Sequence, residues 1–85
     1  MHITVKTYQE LTKEELYCLL QLRSEVFVVE QNCVYQDIDG KDQKARHVLG
    51  FKDDVLIAYT RLFKPGDYFE WASIGRVVVA QHQRQ

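Results

Sequence analysis

The spacing of hydrophobic and polar residues predicts a first strand followed by one helix. Residues 3–8 alternate apolar and polar side chains, which is typical of a half-buried strand. Thr12 followed by Glu15 is a capping-box pattern and predicts the start of a helix. One helical face then carries Leu16, Leu19, Leu20, Leu22, Arg23, Val26 and Phe27. The helix is expected to fade over residues 27–30, because Phe27 and the two valines after it favour a strand.

The second half of the chain predicts an antiparallel meander. Residues 31–46 form a polar loop with a turn at Asp39-Gly40 and room for a short helical turn. Three strands are predicted at residues 47–51, 55–63 and 74–80, joined by a tight hairpin turn at 52–54 and a second turn at 64–67. The predicted fold class is therefore α+β, in the order strand, helix, loop and three-strand meander.

The last predicted strand, residues 74–80, organises the rest of the chain. It is β-branched and apolar apart from Arg76, which is the composition of a buried or half-buried strand. Such a strand requires a neighbour on each side, yet the sequence stops a few polar residues later at Gln85. We therefore expect residues 1–85 to form a single, incomplete domain.

Composition and charge exclude several classes of protein. The 85 residues are 46% hydrophobic and 27% charged. The net charge of −1 does not predict binding to nucleic acid or to an anionic membrane. No apolar run approaches the roughly 20 residues of a membrane span, and the first residues do not resemble a secretory signal. Two distant cysteines, Cys18 and Cys33, form no disulfide framework, which predicts a cytoplasmic protein.

The cysteines, histidines and clustered aspartates carry little chemical signal. Cys18 lies among leucines and is expected to be an inert core thiol, whereas Cys33 lies in the loop without an identifiable base. The three histidines have no Cys or His partner at metal-ligand spacing. Residues 37–42 suggest a calcium loop, but the glycine comes too early and the closing glutamate is missing. A plain turn is the preferred interpretation, and no metal is assigned.

Glu30 is a candidate general base. It follows the apolar residues 26–29, at the junction between the predicted helix and the polar loop. A carboxylate there could have a raised pKa and deprotonate a substrate, or it could hold a cationic one. The alternative is a structural carboxylate that pairs with a lysine or caps backbone N–H groups, and composition alone favours that alternative.

Five blocks of sequence, in order, match one known family. Residues 22–31, Leu-Arg-Ser-Glu-Val-Phe-Val-Val-Glu-Gln, resemble the first-helix signature of the GCN5-related N-acetyltransferases. Four further blocks narrow the resemblance to its ElaA-type branch: residues 35–40, 45–50, 58–62 and 74–79. The resemblance implies the N-terminal half of the acyl-CoA N-acyltransferase fold, in which antiparallel strands begin the sheet and helices follow the first strand.

The resemblance also implies a reaction and the residues that support it. Acetyl would pass from acetyl-CoA to an amine substrate of unidentified class. Residues 74–80 correspond to the fourth strand of the family, where the main chain at Val77, Val78 and Val79 would bind the pantetheine arm and polarise the thioester carbonyl. Glu30 would lie on the acceptor side and deprotonate the amine.

The resemblance fails at the phosphate loop of the family. Arg84 matches the first residue of the loop whose backbone N–H groups bind the CoA pyrophosphate, but Gln85 stands where the branch usually has glycine, and the sequence then ends. We therefore expect weak or absent acetyl-CoA binding and an inactive chain. Two alternatives stay open: an enzyme assembled from two chains, and a non-catalytic interaction module that forms a homodimer through residues 74–80.

Overall fold

Four strands, one α-helix and three short helical turns form the part of the chain that the computed structural model describes, residues 1–30, 37–67 and 72–80, with only the backbone of Glu30 included. Strand β1 (His2–Thr7) leads through a 3₁₀ turn (Tyr8–Glu10) into helix α1 (Lys13–Ser24), which continues as a π-helical segment (Glu25–Glu30). A second 3₁₀ turn (Asp42–Lys44) precedes strands β2 (Arg46–Lys52), β3 (Val55–Phe63) and β4 (Ser73–Val79).

Two consecutive capping boxes fix the entry into α1. Thr12 Oγ1 accepts a hydrogen bond from the backbone N–H of Glu15 at 3.0 Å, and Glu15 Oε1 accepts one from the backbone N–H of Thr12 at 2.8 Å. Thr7 and Glu10 repeat the arrangement one turn earlier. Each box satisfies donors that a helix start leaves unpaired. The predicted helix start is confirmed, whereas the predicted fade over residues 27–30 proves to be a change from α- to π-helical backbone.

The sheet is antiparallel throughout, in the order β1-β2-β3-β4. Asp53 and Asp54 both have positive φ, 51° and 66°, which is the backbone of a two-residue type I′ turn and matches the twist of the β2–β3 hairpin. Pro65 and Gly66, with φ of 92° at the glycine, form the turn after β3. The predicted α+β order and both turns are confirmed, and β1 joins the meander at the edge of β2.

The hydrophobic core lies between α1 and one face of the sheet. Leu19, Leu22 and Val26 of the helical segments are at most 6% exposed, and they pack on Leu49, Ile57, Tyr59, Val78 and Ala80 from the sheet side. Burial of this apolar surface is the main driving force that holds α1 against the strands. The core also fixes the direction of β4, because Val78 and Ala80 must point toward the helix.

The predicted burial of Cys18 is wrong, since its side chain is exposed. With 3.6 residues per turn, Cys18 is rotated by about 100° from Leu19 around the helix axis. The buried stripe runs through Leu19, Leu22 and Val26, so Cys18 falls outside it. Cys33 lies outside the described residues.

The opposite face of the sheet is apolar and exposed over the residues described. Ile3 and Val5 of β1 are 60% and 53% exposed, and Ile74 and Val77 of β4 are 67% and 63% exposed. None of the helices among the described residues has the length and hydropathy needed to cross a bilayer. β4 has one strand neighbour, β3, within the described part of the chain.

Candidate active site

A β-bulge interrupts β4 at Arg76 and Val77. Val78 pairs with Tyr59 and Gly75 pairs with Arg61, so the two residues between them on β4 face the single residue Thr60 on β3. The Thr60 hydroxyl donates a hydrogen bond of 3.0 Å to the carbonyl oxygen of Gly75. The bulge therefore separates two regular stretches of pairing and changes the direction of the main chain immediately before Val77, Val78 and Val79.

Arg76 has an unusual backbone conformation for a residue with a side chain. Its φ is 55°, in the left-handed region, which costs a non-glycine residue roughly 1–2 kcal/mol. The guanidinium supplies compensating interactions: Nε lies 2.9 Å from Asp37 Oδ1, and Nη2 lies 3.3 Å from Asp39 Oδ2 and 3.2 Å from the carbonyl oxygen of Asp37. The side chain thus connects the bulge to the loop before β2.

Arg76 belongs to a six-residue ionic cluster: Arg23, Asp37, Asp39, Asp42, Arg61 and Arg76. Asp42 Oδ1 lies 2.8 Å from Arg23 Nη1 and 3.0 Å from Arg61 Nη1. Arg23 Nε is 3.1 Å from Asp37 Oδ2, and Arg61 forms two hydrogen bonds to Asp39. Three positive and three negative charges balance, which is a condition for burying ionised groups.

The cluster favours the ionised forms of Asp39, Arg61 and Arg23. Hydrogen bonds from Arg61 hold the pKa of Asp39 well below its ordinary range. Burial alone would lower the pKa of Arg61, but its hydrogen bonds to Asp39 and Asp42 outweigh that effect and raise it. The same balance, with Asp42 as the principal partner, raises the pKa of Arg23. Asp39 is therefore a carboxylate held by the guanidinium group of Arg61.

His47 and Tyr59 form a buried neutral pair beside the cluster. His47 Nε2 lies 2.9 Å from the carbonyl oxygen of Asp42, and Nδ1 lies 2.5 Å from the Tyr59 hydroxyl. A carbonyl oxygen can only accept, so Nε2 carries the proton and Nδ1 accepts from Tyr59. Burial lowers the pKa of His47 and raises the pKa of Tyr59. Both side chains are thus neutral at physiological pH.

The buried His47 predicts a loss of stability in mild acid. The pKa of His47 is lower in the folded chain than in the unfolded chain. Below about pH 6.5 the imidazole is therefore protonated in the unfolded state while it is still neutral in the folded state, and this difference favours unfolding. Above that pH the burial of His47 causes no loss of stability. Between that pH and the folded pKa, each pH unit lowers the free energy of unfolding by at most about 1.4 kcal/mol. Urea denaturation at pH 7.5, 6.5 and 5.5 measures this slope.

His2 supplies the matched control for that measurement, because its side chain is exposed. We expect His47→Gln to lower stability at every pH but to remove most of the slope between pH 7.5 and 5.5. His2→Gln should leave the slope unchanged. An equal slope in wild type and His47→Gln would contradict the argument.

The structure places three of the five residues expected from sequence on β4. Val77, the second residue of the bulge, is 63% exposed, and Val78 and Val79, which follow the bulge, are 3% and 36% exposed. Glu30 ends the π-helical segment, but its side chain is not described, and Arg84 lies outside the described residues. The roles assigned to all five stay predictions.

The ionic cluster is not predicted from the sequence. The helical spacing predicts that Arg23 lies on the apolar face of the helix, and the structure buries it completely beside Asp37 and Asp42. A positive charge inside an apolar stripe, with Asp37, Asp39 and Asp42 within six residues of one another, is the signal that could have indicated a buried ion pair.

Comparison with known proteins agrees with this architecture. Protein ElaA of Escherichia coli is 54% identical over 79 residues, which cover 91% of this chain and 52% of that protein. The UPF0039 protein sll0451 of Synechocystis is 40% identical over 75 residues, which cover 87% of this chain and 49% of that protein. The chain therefore spans about half the length of the curated relatives it matches. No family model matches the chain.

Solved structures give the same result for the fold. An acyl-CoA N-acyltransferase from Pseudomonas aeruginosa superposes with a TM-score of 0.92 at 45% identity, over 99% of this chain and 59% of that one. The crystal structure of E. coli ElaA gives 0.90 at 50% identity, over 98% and 57%. Both the sequence and the fold are thus shared over nearly all of this chain. Over nearly all of its length the chain is therefore similar in sequence to ElaA and has part of the acyl-CoA N-acyltransferase fold.

Proposed function

We propose that this chain is part of an N-acetyltransferase, which moves an acetyl group from acetyl-CoA to an amine. It supplies β4, the strand that contacts the acyl-CoA, and the helical segment on the side where the amine acceptor binds. The observation that carries the proposal is the bulge of β4, which redirects the main chain at Arg76 and Val77. Bulges occur next to active sites, where they re-aim groups that a regular strand would direct elsewhere. The similarity to a protein named an acyl-CoA N-acyltransferase supports the same assignment.

In the proposed reaction, the thioester lies along β4 after the bulge. The amine nitrogen attacks the carbonyl carbon, the new C–N bond forms, and the C–S bond breaks to release the CoA thiolate. A main-chain N–H of residues 77–79 would donate to the carbonyl oxygen as it gains negative charge. Glu30 would accept the proton that the amine must lose before or during attack. The chain thereby orients the two reactants and assists one proton transfer.

We expect the 85-residue chain by itself to bind acetyl-CoA weakly or not at all, and therefore to be inactive. Its four glycines are separated along the sequence, so residues 1–85 contain no glycine-rich phosphate loop. The pantetheine arm would then interact with β4 while the pyrophosphate lacks a backbone cradle. Titration calorimetry measures the affinity. A dissociation constant in the low micromolar range, about −8 kcal/mol, would contradict the expectation.

A second candidate function is self-association through β4. The strand is the last in the sheet order of the described residues, and Ile74 and Val77 are 67% and 63% exposed along it. An apolar strand at a sheet edge is a template for another strand, and two copies could pair antiparallel about a two-fold axis. In this alternative the chain is an interaction module that forms a homodimer.

Substitution of Val77 tests the dimer. Val77→Lys places a charge on the proposed interface and should shift the chain from dimer to monomer in light scattering at high micromolar concentration. Val5→Lys is the matched control, because Val5 is 53% exposed on the other edge strand of the sheet and should leave the dimer intact. A folded wild-type monomer at that concentration would rule the dimer out.

A further inference from the structure

The bulge of β4 is held from two sides. On the β3 side, Thr60 donates its hydroxyl hydrogen bond to Gly75. On the loop side, the Arg76 guanidinium contacts Asp37 and Asp39. The position of the bulge is consequently specified by side chains as well as by the strand pairing.

The two aspartates are themselves immobilised. Asp37 also contacts Arg23 of α1, and Asp39 also contacts Arg61 of β3, while Asp42 joins the two arginines. The guanidinium of Arg76 is thus connected through one ionic cluster to the helix, the loop and the neighbouring strand. Planar guanidinium groups with several fixed donors suit such a cluster, because each can contact two carboxylates at defined angles.

Stability alone does not account for this arrangement. A buried ionic cluster is often no more stabilising than apolar residues of similar volume. This cluster, however, includes Arg76, whose backbone is in the left-handed region. Arg76 occupies the strand position that determines which faces of the sheet Val77 and Val78 occupy. Backbone strain of this kind persists only where the surroundings fix it, and it concentrates at functional sites.

We infer that Arg76, Asp37 and Asp39 are positioning residues that hold the bulged main chain of β4 in the conformation that presents residues 77–79 to an acyl-CoA thioester. The inference rests on the proposed function for its ligand. It concerns the geometry of the strand, and none of the three side chains is assigned a contact with the substrate. The cluster acts on the reaction through the backbone.

A mutant cycle distinguishes an effect of the ionic contacts on the left-handed backbone at Arg76 from an effect on the stability of the whole chain. Asp37→Asn weakens the ionic contacts of the Arg76 guanidinium. Arg76→Ala removes these contacts, while the left-handed backbone still disfavours alanine. In both variants we expect hydrogen exchange of the amides of residues 76–78 to become about tenfold faster, because the bulge loses the interactions that offset the strain of its left-handed backbone. Arg76→Gly tolerates positive φ without help and should stay within about twofold of wild type.

The cycle closes with the double variant. Asp37→Asn added to Arg76→Gly should have little further effect on these amides, since glycine no longer depends on the cluster. Asp53→Asn is the control, because Asp53 is exposed in the hairpin turn and asparagine also accepts positive φ. Unchanged exchange at residues 76–78 in Arg76→Ala, or equal acceleration in Arg76→Ala and Arg76→Gly, would overturn the inference.

A ligand titration distinguishes this inference from the proposed function. Acetyl-CoA added to millimolar concentration should shift the wild-type amide signals of residues 77–79, with at least fivefold weaker binding in folded Arg76→Ala and near wild-type binding in Arg76→Gly. Equal binding by wild type and by an Arg76→Ala variant with a disrupted bulge would overturn the inference. If this chain binds too weakly to show a shift, the same titration is made with a full-length relative that carries these residues. The absence of any shift there as well would overturn the proposed function alone, because hydrogen exchange tests the positioning role without a ligand.

Discussion

Replacing Glu30 with glutamine should lower the turnover of a full-length relative that carries the same block of residues 26–31, with Glu25 before it, by about 10²–10⁴-fold, the usual contribution of a general base. Glutamine keeps the size and polarity of the side chain but cannot accept the amine proton. The backbone of Glu30 ends the π-helical segment that continues α1, and such segments often occur at functional sites. Steady-state kinetics with acetyl-CoA and an amine acceptor measure the loss.

The pH profile gives the sharper readout of the Glu30 prediction. The Glu30→Gln variant should lose the acidic limb of kcat, while the KM for acetyl-CoA stays close to wild type because the carboxylate is assigned to the acceptor side. Glu25→Gln is the matched control, since Glu25 is exposed at the start of the same segment. Unchanged kinetics over the whole pH range would make Glu30 a structural carboxylate.

Asp42→Asn should be the most destabilising conservative substitution in the described part of the chain. Asp42 is 5% exposed and joins Arg23 and Arg61, which are 0% and 4% exposed. Asparagine preserves the shape but leaves three arginines, two of them buried, with two carboxylates. Removing one partner of a buried ion pair costs roughly 3–5 kcal/mol, a large share of the roughly 5–15 kcal/mol that stabilises most domains.

Chemical denaturation measures the effect of Asp42→Asn against a control at the surface. Asp54→Asn removes the same charge from an exposed turn residue with φ of 66°, where asparagine is equally acceptable. We expect the control to change the free energy of unfolding by less than about 0.5 kcal/mol. A loss below about 1 kcal/mol for Asp42→Asn would mean that the cluster adjusts to the missing charge.

The features predicted correctly from sequence depend on residues close together along the chain. Thr12 and Glu15 satisfy each other across one helical turn, and the turn residues Asp53 and Asp54 connect two adjacent strands. Alternation and helical spacing then indicate which face of each element is buried. These signals were enough for the element order and for most of the core.

The features missed from sequence depend on pairs that are distant along the chain. Arg76 and Asp37 lie 39 residues apart, and their contact exists only once β4 is next to β3. The bulge has the same origin, because the residue that bulges is decided by the register with Thr60 and not by the composition of β4. Resemblance to a family located Val77, Val78 and Val79, but it did not reveal the geometry that precedes them.

The position of β1 in the sheet has a consequence for synthesis on the ribosome. β1 ends at Thr7, and its only strand neighbour in the described sheet, β2, begins at Arg46. At about 5–20 residues per second, the intervening chain needs seconds to emerge, whereas a hairpin such as β2–β3 closes in about 1–10 μs. The nascent chain therefore carries Ile3 and Val5 unpaired for seconds, and β1 is the strand most open to capture by a chaperone or by a neighbouring nascent chain.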